Sequence, residues 1–221
     1  PVAPLQCVDI TPVPLWQTAI VVRDQNTPVE HIILVSNLGT CMLAAPGAAT
    51  DDTTAIAADF VSGRLYALTP AGLEYVDLYG SLPAPDLTLL TPVASLEAAI
   101  TSTGTPMWAP SDLAVQSDGD VIIFNGGPNV GSGGDVDSDG DCVRVTSAGA
   151  VSLLFDRSLL DGLVGDVGTT GYGPAALAVD SADRVLVGML ENDHGGATTV
   201  QEFVARVAAD GVGSSSVQGS R

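Results

Sequence analysis

The chain reads as an all-β protein of repeated, short, antiparallel units, and three features of its 221 residues predict this. Apolar runs such as "RLYAL" (64–68), "DVIIF" (120–124) and "RVLVGM" (184–189) are four to six residues long and bounded by Gly, Asp, Ser or Pro, which is strand length. "WAPSDLAVQSDGDVIIF" (108–124) returns as "YGPAALAVDSADRVLVG" (172–188), an offset of 64, and "RVTSAGAV" (144–151) returns as "RVAADGVG" (206–213). Gly39, Gly72, Gly149 and Gly211 mark one recurrent hairpin, in which glycine supplies the positive φ of a tight turn.

The repeats define four units, approximately 18–45, 54–92, 108–156 and 172–213, within one domain spanning 1–221. In the first, "HIILVSNLGTCMLAA" (31–45) carries the last two strands of a unit. In the second, "IAADFVSGRLYALTPAGLEYV" (56–76) gives strand, turn at Gly63, strand, turn and strand. The third and fourth units follow the long repeat, and "ASLEAAITS" (94–102) is the one helical segment expected. Four-stranded units that cannot bury both faces alone must stack, and stacking around an axis makes a β-propeller. A β-sandwich is the alternative, but nothing in a sandwich requires Leu-Ala-Val to recur at a fixed offset. The tail "VGSSSVQGSR" (212–221) contains no convincing apolar strand. Either "TAIVV" (18–22) completes the last blade, or the chain is a piece of a larger, incomplete ring, and the second is preferred.

The "P-x-x-L-A-V-x-x-D-G-x-V" pattern of 110–121 resembles the strand-turn-strand signature of NHL-type and gluconolactonase-like propellers. The resemblance covers 108–151 and 172–213 well and 30–78 loosely. It implies a divalent metal in a central channel, held by Glu, Asn and Asp from several blades. Asp112 stands where such families often carry a ligand Asn, and Asn125 ends the next strand, whereas Ala176 cannot ligate. The family's N-terminal Glu has no assigned counterpart. The implied activity is metal-dependent hydrolysis or lactone opening.

Composition limits the partners. The chain has no lysine, seven arginines and 26 acidic residues, a formal charge of −19, so a phosphate backbone would be repelled and no nucleic acid is expected. The charge suits cation binding or a salty, calcium-rich medium, and equally simple solubility. The apolar stretches are far too short for a membrane span, which needs about 20 residues. The chain begins at Pro1 rather than Met, as processing would leave it, which favours a secreted or cell-surface protein. Cys7, Cys41 and Cys142 match no zinc spacing, and a Cys7–Cys41 disulfide with Cys142 free is expected, the alternative being three buried thiols.

The strongest chemical motif is "DVDSDGD" (135–141). Asp135, Asp137, Asp139 and Asp141 occupy positions 1, 3, 5 and 7, with Gly140 at position 6, as in the first half of an EF-hand-type loop. Position 12 is Thr146 rather than Glu, and strands flank the run, so it is closer to the DxDxDG loops of extracellular calcium proteins. Two carboxylates about 5 Å apart repel by roughly 3 kcal/mol at an effective dielectric near 20. Converging four of them calls for a cation; splayed into water, they form an ordinary solvated loop. All-oxygen ligands in the Gly-rich setting of 126–134 favour Ca²⁺ over Mg²⁺, zinc or copper. The run and "LENDHGGATTVQEF" (190–203) join the same pair of strands in successive units and should emerge on one face.

Catalysis is weakly signalled. Glu191, Asn192, Asp193 and His194 gather an acid, an amide and an imidazole, but neighbours in a strand point to opposite faces and no nucleophile motif accompanies them, so a polar loop is the simpler reading. Trp16, Trp108, Phe155, Tyr172 and Phe203 could stack on a sugar, although Trp108 and Tyr172 hold equivalent repeat positions suited to packing between blades. The sequence therefore predicts a calcium-stabilised binding or scaffold module for a glycan, protein, small-molecule or surface ligand. A metal-dependent hydrolase is the alternative, and enzyme status stays open.

Overall fold

The structure is a computed structural model that describes residues 5–16, 18–24, 30–44, 53–80, 86–100, 108–126, 140–164, 170–172, 176–193, 201–212 and 214–218. It is an all-β protein of the propeller type, built of four small antiparallel sheets. The chain forms two compact units, Pro1–Ala94 and Ser95–Arg221.

In the first unit, β1 (Leu5–Thr11), β2 (Thr18–Asp24), β3 (Glu30–Val35) and β4 (Cys41–Leu43) form one sheet in that order. A second sheet follows from β5 (Ala55–Asp59), β6 (Arg64–Thr69), β7 (Gly72–Asp77) and β8 (Thr88–Pro92), before the short helix α1 (Val93–Glu97). Alternation along the strands turns Ala19, Val21, Ile32 and Leu34 of the first sheet onto Ile56, Leu65, Ala67 and Val76 of the second. These side chains are all aliphatic (Ala, Val, Ile and Leu) and pack between two pleated faces without an aromatic, which explains how a chain so poor in aromatics closes a core. The β6–β7 hairpin shows why its turn needs glycine: Gly72 has φ +136°, and a Cβ there would sit 2.1 Å from the Thr91 carbonyl oxygen.

In the second unit the third sheet runs β12 (Val151–Phe155), β11 (Asp141–Val145), β10 (Val121–Asn125), β9 (Pro110–Val115). The helix α2 (Arg157–Val164) follows it. In the fourth sheet, β13 (Thr170–Tyr172) and β14 (Ala176–Val179) both pair with β15 (Val185–Asp193), followed by β16 (Gln201–Val207) and β17 (Ser214–Gln218). Ala114, Ile122, Phe124 and Cys142 meet Leu177, Val185, Val187, Ala205 and Val207, with Leu160 of α2 and Phe155 closing the cluster. At Gly211, with φ +78°, a Cβ would lie 2.1 Å from the Leu154 carbonyl oxygen, so this turn glycine also allows a close approach to the third sheet.

Four separate sheets exclude the sandwich alternative. The recurrent hairpin is confirmed, with φ of +77°, +136°, +88° and +78° at Gly39, Gly72, Gly149 and Gly211. Several boundaries differ from expectation. "TAIVV" belongs to β2, between β1 and β3, and does not complete the last sheet. Its true edge partner is β1, whose mixed sequence "LQCVDIT" hides its strand character. The tail does form a strand, β17, because the β16 ladder supplies the hydrogen bonds that its serines do not encourage. Residues 190–193 of the fourth unit's insertion continue β15 and 201–203 begin β16, so Glu191, Asn192 and Asp193 are strand residues rather than a polar loop.

The cysteines are all free thiols, Cys7 and Cys41 exposed and Cys142 buried, which corrects both the expected bridge and its all-buried alternative. Cys7 lies on β1 and Cys41 on β4, the opposite edges of one four-stranded sheet. Three strand spacings separate them, about 14 Å, twice what a disulfide can span.

Candidate functional site

The first strand of each sheet is an edge, and its outward N–H groups need acceptors that no neighbouring strand supplies. Asp112 answers this in the second unit. Its Oδ1 accepts from the Leu113 N–H at 2.8 Å and its Oδ2 from the Leu177 N–H at 2.7 Å. Leu113 and Leu177 are the same position in successive repeats, so one carboxylate caps equivalent amides of two sheets. Asp9 does the same in the first unit, accepting from Ile10 at 2.7 Å through Oδ1 and from Ile56 at 2.7 Å through Oδ2. The family resemblance put Asp112 where a channel ligand often stands, the plainer reading of it being a turn-side acid, and the sequence did not single out Asp9. What identifies both is an acid immediately before an apolar strand residue in the first sheet of each pair, with Ala55 and Ala176 before the corresponding residue in the second.

Asn125, the other implied ligand, is fully buried. Its Oδ1 accepts from the Ala109 N–H at 2.7 Å, fixing the approach to β9. Its carbonyl accepts from Gly140 N–H at 2.8 Å, which closes the mouth of the β10–β11 connection. Gly140 turns with φ +93°, and the next residue, Asp141, pairs with Asn125 at the start of β11.

Asp135, Asp137 and Asp139 lie outside the described residues, as does His194. Asp141 is described and fully buried, and its Oδ1 accepts from the Arg157 N–H at 3.2 Å. A carboxylate at the first residue of α2 meets the positive end of the helix dipole. The acidic run thus ends in a side chain turned into the protein, leaving the carbonyl of Asp141 as the ligand the motif would use at position 7. Burial, and secondarily the Asp141 charge, raises the adjacent Cys142 well above its ordinary pKa, so this thiol stays protonated and is packed as an apolar group.

The turns of the second unit concentrate the remaining charge. Arg144 on β11 spans two acids of the β9–β10 turn, with Nε 2.6 Å from Asp120 and an Nη 2.9 Å from Asp118. The Ser117 N–H donates to Asp183 Oδ1 at 2.7 Å, its hydroxyl donates to Oδ2, and Gln116 Nε2 donates to the Asp183 carbonyl at 2.9 Å. The Ser117 side chain, then its backbone N–H, lowers the Asp183 pKa. Asp180 is drawn down to about 2, chiefly by its hydrogen bond from Arg184, at 2.7 Å from Nε.

Glu191, Asn192 and Asp193 stand in the β15 ladder in register with Tyr172, Gly171 and Thr170 of β13. Among the described residues, no group of three or more His, Cys, Asp or Glu could hold a metal ion, and no helix is long and apolar enough to cross a membrane. Trp16 packs against the first unit's core, and Phe155 is buried in the second, which suits packing rather than sugar stacking for both.

No protein-family model matches the chain. No curated protein matches it either. Among solved structures, a gluconolactonase of Xanthomonas campestris, described as important in glucose secondary metabolic pathways, is similar at 12% identity and a TM-score of 0.42, over 96% of this chain and 86% of the other.

Proposed function

We propose that this protein is an extracytoplasmic β-propeller binding or scaffold module, stiffened by Ca²⁺ at Asp135, Asp137 and Asp139 and displaying its connections to a glycan, protein, small-molecule or surface ligand. The observation that carries this reading is the use made of Asp112. Both oxygens of the carboxylate best placed by resemblance to bind a channel metal already accept backbone amides, 2.8 and 2.7 Å away, that tie two sheets together. Asp9 repeats that arrangement, which makes it a structural device of the repeat.

The acidic run is different in kind. It springs from a buried strand pair whose ends are fixed by Gly140, Asn125 and Asp141. A rigid base of this type supports a loop that carries ligands, because the entropy of closing the loop is already met by the strands. The side chains of Asp135, Asp137 and Asp139, the Asp141 carbonyl and water would complete an oxygen shell for Ca²⁺. Without a bidentate twelfth ligand the dissociation constant should be on the order of 10⁻⁴ to 10⁻³ M, a range filled by extracellular calcium. That range, with the charge of −19, supports the extracytoplasmic assignment.

Thermal unfolding of the parent and of Asp137→Ala, each with millimolar calcium and with EDTA, tests this reading. Binding to the folded state stabilises by about 2.7 kcal/mol at a hundredfold excess over Kd, which corresponds to a rise of several degrees in the parent and little in the variant. An unchanged parent midpoint, or an equal response in both proteins, returns the run to a solvated turn. Metal-dependent turnover of a lactone by the purified chain would replace the binding-module reading with the hydrolase.

A further inference from the structure

Chain reversals favour Gly, Asn, Asp and Ser, and at one end of the first unit large apolar side chains stand among them. The connections that follow the first and third strands of each sheet leave at the same end, since Asp9 sets β1 beside Ile56 of β5 and these equivalent strands of the repeat run the same way. After β1, β3, β5 and β7 that end carries Leu15, Leu38, Phe60 with Val61, and Tyr79, which are 75%, 87%, 55%, 79% and 50% exposed. Exposure this high is a property of their own unit, because the rest of the chain could only lower it.

These apices are held in place. Val13 is buried and Trp16 packs against the core, so the turn is anchored on both sides of Leu15 while Leu15 itself faces outward. Its φ of +65° lies in the left-handed region, which favours glycine or asparagine and strains a leucine. A strained, bulky and exposed residue is one that packing does not explain. The Gly39 N–H donates to the Ser36 carbonyl at 3.0 Å and the Leu38 N–H to the Ser36 hydroxyl at 3.2 Å. The Tyr79 hydroxyl donates to the Phe60 carbonyl at 3.1 Å, and the Tyr79 ring lies so close over Gly63 that a Cβ there would be 2.3 Å from it. A surface ordered in advance loses little entropy on docking.

Charge narrows the partner. Residues 12–16, 37–39, 60–63 and 78–80 contain no charged side chain in a chain with 26 acids. Asp59 and Asp77 flank two of these apices at the strand ends and accept from the Val61 and Tyr79 amides, at 2.8 and 2.9 Å. Arg64, the one flanking cation in the sequence, lies 4.4 Å from the centre of the Tyr75 ring. The turns after the first strands of the second unit, 116–120 and 180–184, carry Asp118, Asp120, Asp180 and Asp183 instead. Separate apolar tips suit a surface that deforms around them, since a folded partner would need a pocket for each. A fluid lipid interface takes such side chains below its headgroups. An anionic bilayer would repel a protein of charge −19 that has no lysine, which leaves a zwitterionic one.

We infer that the turns bearing Leu15, Leu38, Phe60, Val61 and Tyr79 insert into a zwitterionic lipid surface and hold the first unit against it. This names the surface ligand of the binding-module reading and rests on that reading.

Flotation of the full chain with phosphatidylcholine vesicles, in millimolar calcium and in EDTA, tests the inference. The parent should float with the vesicles in both buffers, and in EDTA an admixture of phosphatidylglycerol should lower the bound fraction. Leu38→Asn and Val61→Asn should each weaken partition about tenfold, as expected when one large apolar side chain no longer leaves water. Leu15→Asn separates lipid contact from fold stability. Asparagine accepts the left-handed region, so this variant should unfold roughly 2–4 °C higher while partitioning about tenfold more weakly. A parent that stays out of the vesicle fraction overturns the proposal, and leaves the calcium site standing if the unfolding midpoint still rises with calcium. Flotation in EDTA with a midpoint blind to calcium does the reverse. Binding that requires phosphatidylglycerol and calcium together, or binding unchanged in all three variants, also overturns it. So does a parent that ignores vesicles while Leu38→Asn halves its sedimenting mass, the sign that a second copy covers these tips.

Discussion

The two units tie their sheets together twice, with the same first device and a different second one. In both, an aspartate of the leading edge strand caps its own amide and the equivalent amide of the next sheet. The second tie of the first unit is buried: Glu30, 0% exposed, receives Nε of Arg23 at 2.7 Å, an Arg23 Nη and the Thr53 N–H. The second tie of the second unit lies in turns, between Asp183 and the Ser117–Gln116 pair. A carboxylate exchanging water for protein donors gains little at a surface, whereas a buried one has no water to return to when a donor is removed. Equal numbers of hydrogen bonds therefore carry unequal consequences.

The largest effect is expected at Glu30. Glu30→Ala removes a buried acceptor of the Thr53 amide and of the Arg23 guanidinium, and since Arg23 is 36% exposed and can turn toward water, the loss should be about 3 kcal/mol rather than the full cost of a buried pair. Urea unfolding measures it. A loss below about 1 kcal/mol would show that the buried tie is no stronger than the exposed one.

Next comes Asp112→Ala, which removes acceptors from two amides at once and should cost about 2 kcal/mol at roughly 1 kcal/mol for each bond. Asp9→Ala should match it within the scatter of such measurements, since the two sites share their geometry. A marked inequality would break the equivalence of the units.

The smallest effect belongs to the exposed turns and is best read by pH. The folded-state pKa of Asp180 is about 2 against an ordinary 3.8, and that of Asp183 is also lowered. A lowered carboxyl pKa favours the folded state above the ordinary value, and the contribution disappears as pH falls through the folded value. Carboxyl-carbon NMR should therefore find Asp180 still ionised at pH 3 and titrating near 2, and Arg184→Ala should return it toward 3.8. An Asp180 that titrates at the ordinary value in the parent would remove the ion pair from the account.

The same contrast between local and non-local causes explains what could be read from the sequence. The turn glycines were legible because positive φ is a property of one residue, and the long repeat was legible because stacked sheets impose the same pattern on each unit. Asp9, Glu30 and Asp183 act through partners 47, 23 and 66 residues distant, and even the acid before an apolar residue that marks Asp9 gains its meaning only once the sheets are paired. Helix α2 was missed because "RSLLDGLV" is short and contains a glycine, and its position over Phe155 and Cys142 is set by packing. The acidic run was conspicuous, yet only the structure separates Asp141, committed to the start of α2, from the three acids before it.

In the proposed division of labour, Asp112 ties sheets and the acidic run would bind the cation. Calorimetric titration of Ca²⁺ into the parent, Asp137→Ala and Asp112→Asn decides it. One site of submillimolar to millimolar affinity in the parent, lost in Asp137→Ala and retained in Asp112→Asn, is the predicted result. Binding that survives Asp137→Ala but is abolished by Asp112→Asn, with both variants folded, would move the metal to the edge strands and contradict the account.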